Sequence, residues 1–226
     1  DILVTNKKLD VIGSPGVGHV FYSIKANSRL ELLYFKNTIL HHFITPWIIN
    51  STWISLFSGE INSVADLKSH FIYRRDQLKF EFYLPTVKEL FKQGLEIISK
   101  CSGKKVSNLQ DCLNLKHNQL MALGTEIGVL ARSCSYFTES YYIGALTLKV
   151  IYTEKNYPFK MDYFVKKSKD VFEVEKSLAR VIRFPESYSV PVIKNGLKYF
   201  EHLGVVNREE NGMVISRVSD LDKIIV

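Results

Sequence analysis

The sequence is poor in the residues that build compact chemical centres. Its three cysteines, Cys101, Cys112 and Cys134, form no Cys-x-x-Cys pair, and none lies near a histidine at zinc-finger spacing. An odd, scattered set argues against a disulfide framework and favours buried free thiols in a reducing, intracellular setting. Six prolines and twelve glycines in 226 residues exclude collagen-like and low-complexity chains, and 46% hydrophobic with 23% charged residues is a globular composition. That length can bury a substantial core, as one large domain or two small ones. No block of one charge is present either. The net +7 divides into 14 basic and 10 acidic residues over 1–113, and 16 and 13 over 114–226. An excess spread so thinly suits a membrane surface better than a dedicated nucleic-acid groove. The opening "DILVTNKKLD" has no Met start, basic n-region or apolar h-region, so no signal peptide is read there. It reads as a strand already under way, and the expectation is a chain cut from something longer.

Charge is missing altogether from Ile39 to Phe57, nineteen positions. A bilayer-spanning helix needs about twenty predominantly apolar residues, yet this run contains His41, His42, Thr45, Pro46, Asn50, Ser51, Thr52 and Ser55. So many polar groups are costly in hydrocarbon unless they face protein or water. Pro46 lacks an amide donor and disfavours helix at the preceding residue, so two helices are expected, roughly 30–45 and 46–57. Leu40, Phe43 and Ile44, then Trp47, Ile48 and Ile54, would form their apolar faces. A core helix pair is the plain reading. The alternative is an interfacial segment with Trp47 and Trp53 at headgroup depth.

Three stretches share one grammar: "DILVTNKKLDVIGS", "KQGLEIISKCSGKKVSN" and "HLGVVNREENGMVISRV". In the last two an amphipathic run meets Gly94 or Gly204, where positive φ can close a helix, and a β-prone segment follows. In the third, Asn211-Gly212 between Val205-Val206 and Met213-Val214-Ile215 signals a hairpin. The opening stretch looks like the same hairpin without its helix. Ser63 to Asp66 and Thr86 to Glu89 resemble capping boxes, with Val87, Leu90 and Phe91 as an apolar face after the second. Leu113, Leu120, Leu123, Ile127, Leu130 and Cys134 predict a packed helix over 113–134, and Phe137, Tyr141, Ala145 and Leu148 continue the spacing. Residues 158–183 predict another helix, with Phe164, Val171, Val174, Leu178 and Val181 inward. The fold class is therefore mostly α: a helical bundle with short β-hairpins in helix-then-hairpin, winged-helix-like units, with possible sub-units 1–108 and 109–226.

Candidate chemistry is thin. Phe184-Pro185-Glu186 lacks only the glycine of a Phe-Pro-Glu-Gly acyl-acceptor motif, but that motif needs an earlier His-x4-Asp, with histidine as general base. No histidine satisfies it; His70 reaches Asp76 across five residues instead of four. "GSPGVGH" at 13–19 has neither a phosphate loop's Lys-Ser/Thr nor dinucleotide-turn spacing, and reads as a hairpin loop. His41 and His42 diverge by about 100° on a helix, with no acidic or thiol partner evident nearby. Arg74-Arg75 and Lys104-Lys105 read as solvated faces. A helix followed by a hairpin could also be a nucleic-acid-binding winged helix, with Lys194, Lys198 and His202 along one side of the last helix. Glu209 and Glu210 in its wing would face phosphates unfavourably, so nucleic acid is disfavoured.

Four elements in order resemble the C-terminal region of the glycerol-3-phosphate acyltransferase family. "LELLYFKNTILHHFITPWIIN" resembles its Tyr-x-Asn and Leu-His-x-Phe elements through Tyr34, Asn37, Leu40, His41 and Phe43. "FIYRRDQLKFEFYLP" is similar to its aromatic-rich run around an acid, here Glu81. "YFTESYYIGALTL" matches its Glu-x-Tyr helix through Glu139 and Tyr141. "VIKNGLKYFEHLGVV" resembles its closing Lys-Asn helix and turn through Lys194, Asn195, Leu203, Gly204 and Val205. The resemblance implies an intracellular, membrane-associated parent that moves an acyl group from acyl-CoA or acyl carrier protein to the 1-position of glycerol 3-phosphate. Close relatives use dihydroxyacetone phosphate. The family's catalytic motifs lie upstream, so no catalytic, cofactor or metal residue carries over, and the expected partner is an upstream acyltransferase domain. Contacts with that domain or with the membrane are expected at Trp47, Trp53, Phe57, Arg74 and Arg75. The alternative is a free-standing membrane-surface or nucleic-acid-binding module.

Overall fold

The computed structural model describes residues 9–12, 21–25, 28, 32, 38–131, 134–181 and 187–225. The chain separates into two compact units, 1–42 and 43–226. In the first, β1 (Leu9–Ile12) pairs antiparallel with β2 (Phe21–Ile24), Leu9 opposite Ile24 and Ile12 opposite Phe21. Lys25 Nζ reaches Asp10 at 3.1 Å, tying the open end of this expected hairpin. The glycine-rich 13–19, Tyr34 and Asn37 lie outside the described residues.

The larger unit begins with α1 (Ile44–Phe57), entered through a 3-10 turn at Leu40–Phe43. The expected division at Pro46 does not occur. Pro46 sits at the third helical position, where the amides have no intrahelical acceptor and the missing donor costs nothing. No described helix is long and apolar enough to cross a membrane. Ile44, Trp47, Ile48 and Ile49 are buried, whereas Ile54, expected inward, is 54% exposed.

α2 (Val64–Gln77) is capped by Ser63, whose hydroxyl accepts the Asp66 amide at 3.0 Å. α3 (Val87–Ser102) starts with a complete Thr86/Glu89 capping box and closes on Gly103 at φ 67°. The expected stop at Gly94 is wrong, and no hairpin follows. Gly94 is mid-helix because Phe71 lies against it; a Cβ there would stand 3.2 Å from the Phe71 ring tip. The helix expected over 113–134 is shorter, and a separate short helix precedes it. α4 (Leu109–Leu113) ends when the chain turns to bury Leu115, and the Gln119 side chain accepts the Lys116 amide to start α5 (His117–Ala131). α1 and α5 pack in opposite senses, with Trp53 on Gly124 and Phe57 against His117. α3 packs on both, so the packing crosses the 108/109 division considered from sequence.

α6 (Ser135–Thr153) buries Phe137, Tyr141, Ala145 and Leu148, as the spacing requires. It carries α7 (Met161–Ser177), α8 (Val190–His202) and α9 (Ser219–Ile225) on its faces. α7 is shorter than expected, and Val174 and Leu178 point outward at 55% and 53% exposure. Its inner face takes Glu175 instead, because the Tyr142 hydroxyl donates to that carboxylate at 2.9 Å and Arg180 stands 3.4 Å away. α8 ends at Gly204 (φ 68°) and leads into β3 (Val206–Glu209) and β4 (Gly212–Ile215), the expected helix-then-hairpin. The turn is Glu210-Asn211, one residue earlier than Asn-Gly suggested. Gly212 is needed because Phe159 pairs with Met213, and a Cβ at 212 would lie 2.8 Å from the Phe159 carbonyl. The described residues are mostly α with two small antiparallel sheets, as the sequence indicated.

Candidate functional site

Three of the positions singled out by resemblance meet in space. Glu81 lies on the α2–α3 connection, which Arg75 holds through two bonds to the Pro85 carbonyl, at 3.1 and 3.0 Å. From there the Glu81 carboxylate accepts the Tyr141 hydroxyl of α6 at 3.0 Å and the Asn195 side-chain amide of α8 at 3.2 Å. Lys198, one turn along α8, donates to the Asn195 side-chain Oδ1 at 3.2 Å. Tyr141 also stacks on Tyr199, ring centres 5.6 Å apart, and Tyr199 is fully buried. Burial raises the Glu81 pKa, opposed by the bonds from Asn195 and Tyr141 and by the Lys198 charge. Burial and the neighbouring Glu81 charge keep the Tyr141 phenol protonated. The result is a polar bridge joining a connection and two helices.

The other positions do different work. The Ser187 hydroxyl donates to Glu139, while Ser140 donates to the Ser187 carbonyl at 2.7 Å, so these α6 residues anchor the approach to α8. Lys194 is half-buried on α8. The Gly204 carbonyl accepts Arg217 Nε at 3.0 Å. His41 and His42 are exposed and face each other at 3.8 Å, and no group of metal-ligand residues occurs among the described residues. Trp47 is buried, and the half-buried Trp53 donates its indole N–H to the Leu120 carbonyl. Phe57 remains 41% exposed. Arg74 donates to Gln77 at 3.1 Å and Arg75 pairs with Asp76 at 2.7 Å, so neither is the purely solvated group expected.

His70 and Asp76 form no dyad. The His70 ring nitrogen lies 3.3 Å from the Thr52 hydroxyl, and Asp76 serves Arg75. Burial, then the Arg74 charge, lowers the His70 pKa, with Glu60 opposing. Phe184-Pro185-Glu186 lies outside the described residues. An apolar cavity of about 20 Å³ between α1, α2, α3 and α5 is lined by Ile49, Trp53, Phe71, Leu95 and Leu123 and carries no carboxylate, imidazole or amine. It is room for a water molecule, not an acyl chain. In the winged unit, Arg208 is held by Glu201 at 2.8 Å and Arg217 by the turn it caps, so both arginines are engaged internally.

Tyr199, Ser187 and the Arg75 clamp on Pro85 went unnoticed in the sequence, and Lys198 was read only as part of a basic helix side. Asn195, Lys198 and Tyr199 do share one helical face, three and four residues apart, which was the available signal. Comparison with curated proteins and with solved structures finds no match. The profile of the family described as glycerol-3-phosphate acyltransferase C-terminal region matches residues 2–209. The chain therefore belongs to the glycerol-3-phosphate acyltransferase C-terminal region family.

Proposed function

We propose that the chain is the non-catalytic helical part of a membrane-associated glycerol-3-phosphate 1-O-acyltransferase, where it stabilises or docks the domain that performs acyl transfer. Family membership makes it a relative of these acyltransferases. The finer reading is carried by one observation: among the polar positions that resemble the family, Glu81 accepts from both Tyr141 and Asn195 and so ties a connection to two helices. A transferase site would instead aim a base at an acceptor hydroxyl. The commitment of His70 to Thr52 and of Asp76 to Arg75 points the same way. The acyl donor is acyl-CoA or acyl carrier protein, and the acceptor glycerol 3-phosphate.

Assaying the purified chain with acyl-CoA and either glycerol 3-phosphate or dihydroxyacetone phosphate tests this. The expected result is no turnover with either acceptor, together with a raised melting temperature of an acyltransferase domain of this family when the chain is added. Robust turnover by the chain alone rejects the proposal.

A further inference from the structure

One group of positive charges lies along α3 and the loop that follows it. Residues 88–105 carry five lysines against two glutamates. Lys88, Lys92 and Lys100 recur at steps of four and eight, so they share one side of α3 over ~18 Å of its axis. All three are exposed, as is Lys105 in the following loop. That loop is held in place by Ser99, whose hydroxyl accepts the Val106 amide at 2.9 Å and donates to the Val106 carbonyl at 3.0 Å. An open groove between helix and loop is lined by Lys92, Lys100 and Lys105, with Leu95 and Val106 at its base and Glu96 its one carboxylate.

Elsewhere in the unit, Lys149, Lys167, Lys176, Arg75, Arg180, Arg208 and Arg217 each stand beside a carboxylate, whereas among the described residues Lys160, Lys166 and Lys169 do not. Among the described residues no such pair involves Lys88, Lys92, Lys100 or Lys105. A site for one small anion would converge its donors on a point; this bank is extended and shallow, and so matches a layer of negative charges. Clustered lysines near an anionic bilayer gain from its surface potential without having to give up internal partners.

We propose that the lysine bank of α3 and its following loop is the face by which this unit lies on an anionic phospholipid surface, an assignment that rests on the membrane association proposed above. Sedimentation with phosphatidylcholine vesicles, with and without phosphatidylserine, tests it. The wild-type chain binds only the vesicles containing phosphatidylserine, and added salt releases it as the charges are screened. Replacing Lys92→Gln, Lys100→Gln and Lys105→Gln together weakens partitioning about 100-fold, from roughly fivefold per lysine. The matched set Lys160→Gln, Lys166→Gln and Lys169→Gln, exposed on α7, changes net charge equally and stays within about threefold of wild type. Equal losses in both sets reject this face while leaving membrane association standing. A wild-type chain that ignores phosphatidylserine overturns the inference, as does a bank whose neutralisation abolishes only capture of an acidic acyltransferase domain. Neither outcome depends on the acyl-transfer assay.

Discussion

The α1–α5 region and the α6–β4 region are built by opposite means. The first is joined largely by apolar and aromatic packing: α1 has no charged residue, α5 has only Glu126, and a small apolar cavity lies among α1 to α5. The second threads its interior with polar contacts, through Ser140, Ser187, Glu175 and Tyr141. The first therefore has slack at its cavity, where side chains have somewhere to move, whereas Tyr141 in the second is held by both a bond and a stack.

Removing a large ring should show this most strongly. Phe200 is fully buried beside Gly144 in the α6–α8 contact, so Phe200→Ala is expected to cost about 4 kcal/mol of unfolding free energy. Phe91 is half-buried and already borders the cavity, so Phe91→Ala should cost about half as much. Equal shifts in urea unfolding would break the comparison.

A sharper test adds one methyl group to each region. At Gly94 a Cβ meets the Phe71 ring tip at 3.2 Å, and Phe71 borders the cavity. The ring can yield, leaving the gain of alanine over glycine in a helix, up to about 1 kcal/mol. At Gly196 a Cβ meets Tyr141 Cδ1 at 3.1 Å, and that ring is stacked on Tyr199 and bonded to Glu81. Gly196→Ala is expected to destabilise by about 1–3 kcal/mol. Opposite signs in thermal unfolding support the contrast; the same sign in both contradicts it.

How well each region could be read from sequence follows the same divide. α6 announced itself because Phe137, Tyr141, Ala145 and Leu148 all face one continuous core. The caps at Ser63 and Thr86 were legible because their partners lie three residues away. Gly94 misled because its meaning depends on Phe71, on another helix, and Pro46 because a proline tolerated in the first turn looks locally like one that breaks a helix. The bridge is less local still: Glu81 lies 60 residues from Tyr141 and 114 from Asn195. No helical or strand period encodes such separations. Family resemblance marked the three residues singly, and only the fold joined them. The lysine bank was hidden for a related reason, since halving the chain for a charge count averages α3 with its neighbours.

The smallest expected effect concerns the proton on Glu81. Burial raises its pKa in the folded protein, so the folded state binds that proton more tightly than the unfolded chain does. The stability linked to the proton is present below the ordinary carboxylate range and is lost as pH rises through the elevated folded value. Glu81→Gln keeps a carbonyl acceptor for Tyr141 or Asn195 and removes the titration. The wild-type chain should therefore gain thermal stability over the variant as pH falls from neutrality through that window. Parallel stability curves would mean that the Tyr141 and Asn195 bonds offset the desolvation fully. In that case the charge on the α6–α8 bridge would be as well accommodated as if it faced water, and the contrast with the apolar region would rest on packing alone.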